Sequence, residues 1–121
     1  MQIYIDKYLC LYYYIYNIIW GGNIRKMKHG LSNEIYTQIQ NIVKKYNNYI
    51  FKIFGSRARG DFKNYSDIDI AVIGKVSKED KFKILNEFDV LDLPYTVDIV
   101  FTENIQKIEL LNSIEKEGVE I

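Results

Sequence analysis

Three aspartates stand where strand-forming sequence has no structural need for them. Asp67 and Asp69 lie one residue apart at the start of "DIDIAVI", residues 67–73, and Asp98 sits inside "TVDIVF", residues 96–101. Side chains alternate across a strand, so Asp67 and Asp69 share a face while Ile68, Ile70 and Val72 take the other. Two residues of rise put their Cα atoms about 6.6 Å apart. Two like charges at that range repel, and each raises the other's pKa unless a cation compensates. A bridging divalent metal removes the penalty. If the two strands are neighbours, Asp98 joins the pair, and three convergent carboxylates are the usual ligand set for two Mg²⁺ ions. The plainer reading is a strand with one solvated face, where polar and apolar residues alternate anyway. Aspartate is a poor strand former, which weighs against it.

Upstream, "IFGSRARGDFKNYSDIDIAVIG", residues 53–74, places a Gly-Ser pair ten residues before the Asp-x-Asp. Gly55 after a strand permits a tight turn and close approach of a ligand to the backbone. If Ser56 opens a helix, its N–H and hydroxyl suit a phosphate. Arg57 and Arg59 can add charge-assisted contacts to that phosphate, or can pair with Asp61 or the acidic strand face.

The elements that must position these groups follow from periodicity. Leu31, Ile35, Ile39, Ile42, Val43 and Tyr46 recur at helical spacing, with Ser32 as a cap and Asn47-Asn48 as the end. "YIFKIF", residues 49–54, reads as the first strand and residues 67–73 as the second. A helix over about 78–91 starts at Ser77-x-x-Asp80, which resembles a capping box, and shows Phe82, Leu85, Phe88 and Leu91 on one side. Pro94 breaks it. Residues 96–101 form the third strand. A last helix over about 103–117 carries Ile105, Ile108, Leu111 and Ile114 and ends at Gly118. The order α-β-turn-β-α-β-α is an α+β arrangement: a small sheet with helices packed mainly on one face.

The whole chain sets bounds on this reading. Its 121 residues suffice for one domain, and 48% hydrophobic with 26% charged residues is globular composition. Sixteen basic and sixteen acidic residues balance, which counts against a nucleic-acid partner. One cysteine, Cys10, and one histidine, His29, exclude an intramolecular disulfide and a Cys/His metal cluster, so a metal must be held by oxygen. "YLCLYYYIYNIIW", residues 8–20, is uncharged and holds five of the eleven tyrosines. It is too short to span a bilayer and lacks the flanks of a signal peptide, so no membrane partner and a cytoplasmic location are expected. Residues 1–26 stand as an uncertain extension: an extra element, a binding segment, or a start placed ahead of the true one at Met27. Residues 27–121 form the expected domain.

"GSRARGDFKNYSDIDIAVIG" resembles the signature of the minimal nucleotidyltransferases of the DNA polymerase beta superfamily. The resemblance runs from about Leu31 to the C-terminal "IEKEGVEI" and leaves out residues 1–26. It implies the palm-like nucleotidyltransferase fold, with Gly55 and Ser56 holding a nucleoside triphosphate. It implies Asp67 and Asp69 as ligands of two Mg²⁺ ions (Mn²⁺ being an alternative) and Asp98 as the third carboxylate, activating the acceptor oxygen. Members of this family resemble antitoxins of HEPN-domain ribonucleases, and some add AMP from ATP to a tyrosine of that toxin. The implied protein is therefore an adenylyltransferase antitoxin in a hetero-oligomer with its toxin. The alternatives are an antitoxin acting by complex formation alone, and an enzyme modifying a small molecule or an RNA end.

Overall fold

The computed structural model describes residues 27–121; the tyrosine-rich run at 8–20 and the rest of the 1–26 extension lie outside the described residues. Four strands and four helices follow the order α1 (Asn33–Lys45), β1 (Ile50–Phe54), α2 (Ser56–Arg59), β2 (Ile68–Ile73), α3 (Lys78–Asp89), β3 (Val97–Phe101), α4 (Ile108–Glu117) and β4 (Val119–Glu120). A short 3₁₀ turn, Thr102–Asn104, links β3 to α4. The sheet order is β3-β2-β1-β4. β1 runs antiparallel to β2 and β4, whereas β2 and β3 are parallel. The sheet is thus small and mixed, as expected for an α+β domain.

Helix α1 forms where the apolar spacing requires it. The Ser32 hydroxyl accepts the Ile35 N–H at 3.3 Å and closes the helix start. Ile35, Tyr36, Ile39 and Ile42 are buried along one stripe. They meet Phe51 and Ile53 of β1 and Ile68, Ile70 and Val72 of β2 in the main core, together with Ile84 and Phe88 of α3. Ile68, Ile70 and Val72 are each fully buried, as strand alternation demands. Burial of one such side chain contributes roughly 1.5–3 kcal/mol. The other sheet face is covered only in part: Phe54 and Ala71 pack with Ile114 and Leu110 of α4. Its uncovered end is where the aspartates lie.

Four expectations shift. The capping hydroxyl of Ser77 does accept the Asp80 N–H at 3.1 Å, but the Asp80 carboxylate is engaged by the Tyr49 hydroxyl at 2.5 Å. In α3 the buried pair is Ile84 and Phe88, while Phe82 is 67% and Leu85 44% exposed. Apolar residues occupy two overlapping arcs of this helix, and the arc through Ile84 and Phe88 is the one that joins the main core. In α4, Ile108 opens the helix and is exposed, leaving Ile114 as its anchor. Nor does regular structure end at Gly118: Val119 and Glu120 return to pair with Ile53 and Lys52.

Candidate active site

Register sets two of the three aspartates side by side. Asp69 and Asp98 are direct partners across the parallel β2–β3 pair. Directly opposed residues on neighbouring strands sit about 4.8 Å apart. Asp67 precedes the first residue of β2, two positions before Asp69. Burial, then the charge of Asp98, then that of Asp67 push the Asp69 carboxyl above its ordinary range. The charges of Arg59 and Arg57 act in the opposite direction on it. Asp69 is half-buried, and Asp67 and Asp98 are exposed. One carboxylate is therefore strained by two others on an open sheet end.

Gly55 closes the other side of the cluster. Phe54, the last residue of β1, pairs with Asp69 across the antiparallel ladder. The next residue turns with φ 74° and ψ −153°, a region open essentially to glycine alone. A Cβ on Gly55 would lie 2.5 Å from Asp69 Oδ2, so the missing side chain is what lets the carboxylate rest against this backbone. Ser56 then opens α2. The N–H groups of Ala58 and Arg59 donate to the Gly55 carbonyl at 3.1 and 3.0 Å, and Gly60 N–H donates to the Ser56 carbonyl at 2.9 Å. With four residues, α2 is a single turn, so it offers a phosphate local N–H groups and a hydroxyl rather than a long helix dipole.

The two arginines are placed differently from each other. Arg59 is exposed, with Nη1 donating to Glu117 Oε2 at 3.2 Å and Nε 3.3 Å from Asp61 Oδ1. This includes the Asp61 pairing that the sequence allowed. Arg57 is only 2% exposed, and its guanidinium donates to backbone carbonyls instead of standing out toward a phosphate. Its partners are not legible in the sequence: the carbonyls of Ser66 and His29 and the rings of Tyr95 and Phe62.

Among the described residues, no three His, Cys, Asp or Glu side chains stand together as a group placed to hold a metal ion. The donor set nevertheless fits a hard divalent ion. Mg²⁺ is held by one or two carboxylates and completes its shell with water and substrate phosphates. Asp69 beside Asp98, with Asp67 two positions away and a carboxyl already raised by burial and by both neighbouring charges, is such a set.

A mixed four-stranded sheet whose β1–β2 and β2–β3 pairs bring a glycine turn and aspartates together is an α+β nucleotidyltransferase fold. The chain matches the family described as polymerase beta, nucleotidyltransferase, over residues 37–121, and it belongs to that family. Among solved structures it is similar to a chain of a mutant of the toxin–antitoxin MntA–HpeT. That match has 20% identity, covers 71% of this chain and 70% of the other, and has a TM-score of 0.54. A Sulfolobus solfataricus protein described as a nucleotidyltransferase is 24% identical, with 71% and 83% coverage and a TM-score of 0.40. No curated protein matches the chain.

Proposed function

We propose that this chain transfers a nucleoside monophosphate, AMP from ATP, to a hydroxyl of a protein partner and so acts as an antitoxin. The partner in this reading is a HEPN-type ribonuclease toxin, and the acceptor is one of its tyrosines. The observation that carries the reading is the in-register pair Asp69 and Asp98 with the side-chain-free Gly55 against Asp69. Membership of the nucleotidyltransferase family supports the reaction class. The likeness to a chain of a toxin–antitoxin pair is what suggests the biological setting.

The residues divide the work as follows. Gly55 and Ser56 receive the triphosphate, the glycine by allowing close backbone approach and the serine through its hydroxyl and N–H. Asp67, Asp69 and Asp98 are the residues that would hold the divalent cations. Such cations, when bound, supply charge neutralisation at the phosphates and lower the pKa of the attacking hydroxyl. Asp98 accepts the hydroxyl proton. The acceptor oxygen forms a bond to the α-phosphorus, the bond from that phosphorus to the bridging oxygen breaks, and pyrophosphate leaves. Asp69 is poised for a cation: burial and then its acidic neighbours disfavour its ionised form until positive charge arrives.

The test is incubation with the product of the neighbouring gene, ATP and Mg²⁺, followed by intact mass of both proteins. Addition of one or more AMP groups to the partner is the expected result. Inhibition of the partner with no mass change would replace transfer by complex formation.

A further inference from the structure

Arg57 occupies a place that its neighbours in sequence do not suggest. Its Nε donates to the Ser66 carbonyl at 3.0 Å, and its Nη1 donates to the His29 carbonyl at 2.9 Å. Its guanidinium carbon lies 4.4 Å from the centre of the Tyr95 ring and 5.2 Å from that of Phe62. His29 returns the contact, with Nδ1 3.1 Å from the Arg57 carbonyl. The bond needs the proton on Nδ1, since the carbonyl can only accept. Gly30 presses on the same group: a Cβ there would stand 3.0 Å from Nη1 and 2.2 Å from the Phe62 ring.

Each partner sits beside a different part of the site. Ser66 immediately precedes Asp67, Tyr95 lies three residues before Asp98, and Arg57 itself is two residues after Gly55. Ser66 and Tyr95 lie in segments with no regular secondary structure of their own, and Arg57 lies in the single turn of α2. A planar fork with five donors can serve two carbonyls from separate segments and two ring faces at once, which an ammonium cannot. Burying a cation is costly unless it is paired and hydrogen-bonded, so the side chain depends on these contacts to stay in place.

We infer that Arg57 is a positioning residue for the transfer site, locking the segments that deliver Asp67, Asp98 and the Gly55–Ser56 turn into one arrangement, and not a ligand of the triphosphate. The inference rests on the proposed nucleotidyltransferase reading for its purpose, but its geometry can be tested without any nucleotide. Arg57→Lys keeps the charge and loses the fork. In the full-length chain, hydrogen exchange resolved by peptide should speed at least tenfold over residues 62–68 and 94–98. Exchange over residues 35–42 of α1 should be unchanged, and the melting temperature should fall by only a few degrees. Affinity for Mn²⁺ with a non-hydrolysable ATP analogue should fall at least tenfold in that still-folded variant. Tyr95→Leu removes one stacking face, leaves the charge, and should give the same exchange pattern more weakly.

Weakened analogue binding with unchanged exchange in both segments would make Arg57 a phosphate ligand and overturn the inference. Faster exchange throughout the chain, or loss of folding in both variants, would make it an ordinary core contact and overturn it equally. If the unmodified chain binds no Mn²⁺–analogue complex, the functional reading fails, while the exchange pattern still decides whether Arg57 locks these segments.

Discussion

Gly55→Ala puts the site's tightest contact under load. The new side chain meets two separate obstacles. At φ 74° and ψ −153° an L-residue is held in a region reserved for glycine, with a strain of roughly 1–3 kcal/mol. Its Cβ would also stand 2.5 Å from Asp69 Oδ2. That oxygen is the end of a side chain, so the carboxylate swings aside rather than the backbone parting, at about 0.5–1.5 kcal/mol for a displaced rotamer. Together these give a loss of about 2–4 kcal/mol, or a fall in melting temperature of roughly 8–16 °C for a domain of this size. Urea unfolding of Gly55→Ala, Asp69→Ala and the double variant separates the two parts. In the Asp69→Ala background the contact with the carboxylate is gone, so Gly55→Ala should be milder by about 0.5–1.5 kcal/mol, while the backbone strain persists. Gly55→Ala within about 0.5 kcal/mol of the parent would refute the backbone geometry, being the size of an ordinary surface change. Equal losses in both backgrounds would refute the packing of Asp69 against Gly55.

Other outcomes follow from the same geometry. Asp69→Asn should abolish transfer yet raise the melting temperature of the metal-free protein at neutral pH, and a sharp fall would show the acid to be structural. Asp69's folded pKa is raised, so its ionisation weakens the fold as pH rises through the interval between its unfolded and folded values. Glu87, held low by Lys45 and Tyr46, and Glu103, held low by Lys81 and the Val76 N–H, act in the opposite sense and lose their contribution as pH falls. The difference between parent and Asp69→Asn melts across acidic pH should therefore shrink toward low pH, where Asp69 is protonated; a difference that grows there contradicts the assignment. Ser56→Ala should weaken binding of ATP with Mg²⁺ in calorimetry by several-fold with little change in melting, and the reverse pattern would leave the hydroxyl a purely structural role. A chain beginning at Met27 should fold and bind nucleotide as the full chain does, since every element from α1 to β4 lies after it; failure to fold would give residues 1–26 a packed role.

How much of this was legible in the sequence depends on the kind of signal. Asp-Ile-Asp announced its two faces because strand alternation is strict, and Ile68 and Ile70 are indeed fully buried. The Gly-Ser turn was visible because only glycine fits such a backbone. The buried face of α3 is not legible because "KFKILNEFDVL" carries two apolar arcs, and helical period alone cannot choose between Leu85 and Ile84. β4 has two residues, too few for any period, and exists only because β1 offers an unpaired edge. Arg57 and Arg59 look alike in sequence two positions apart. Which one enters the core is set by the carbonyls of Ser66 and His29 and the rings of Phe62 and Tyr95, between 5 and 38 residues away in sequence.

The central claim is that the Gly55 turn and the three aspartates form one metal-dependent nucleotide site. Paramagnetic broadening of backbone amide signals by Mn²⁺ with a non-hydrolysable ATP analogue tests it most directly. The account expects broadening centred on residues 55–57, 67–70 and 97–99, lost together in Asp69→Asn. Broadening centred instead on the acidic residues of α3, such as Glu79 or Glu87, or its persistence in Asp69→Asn, would contradict it.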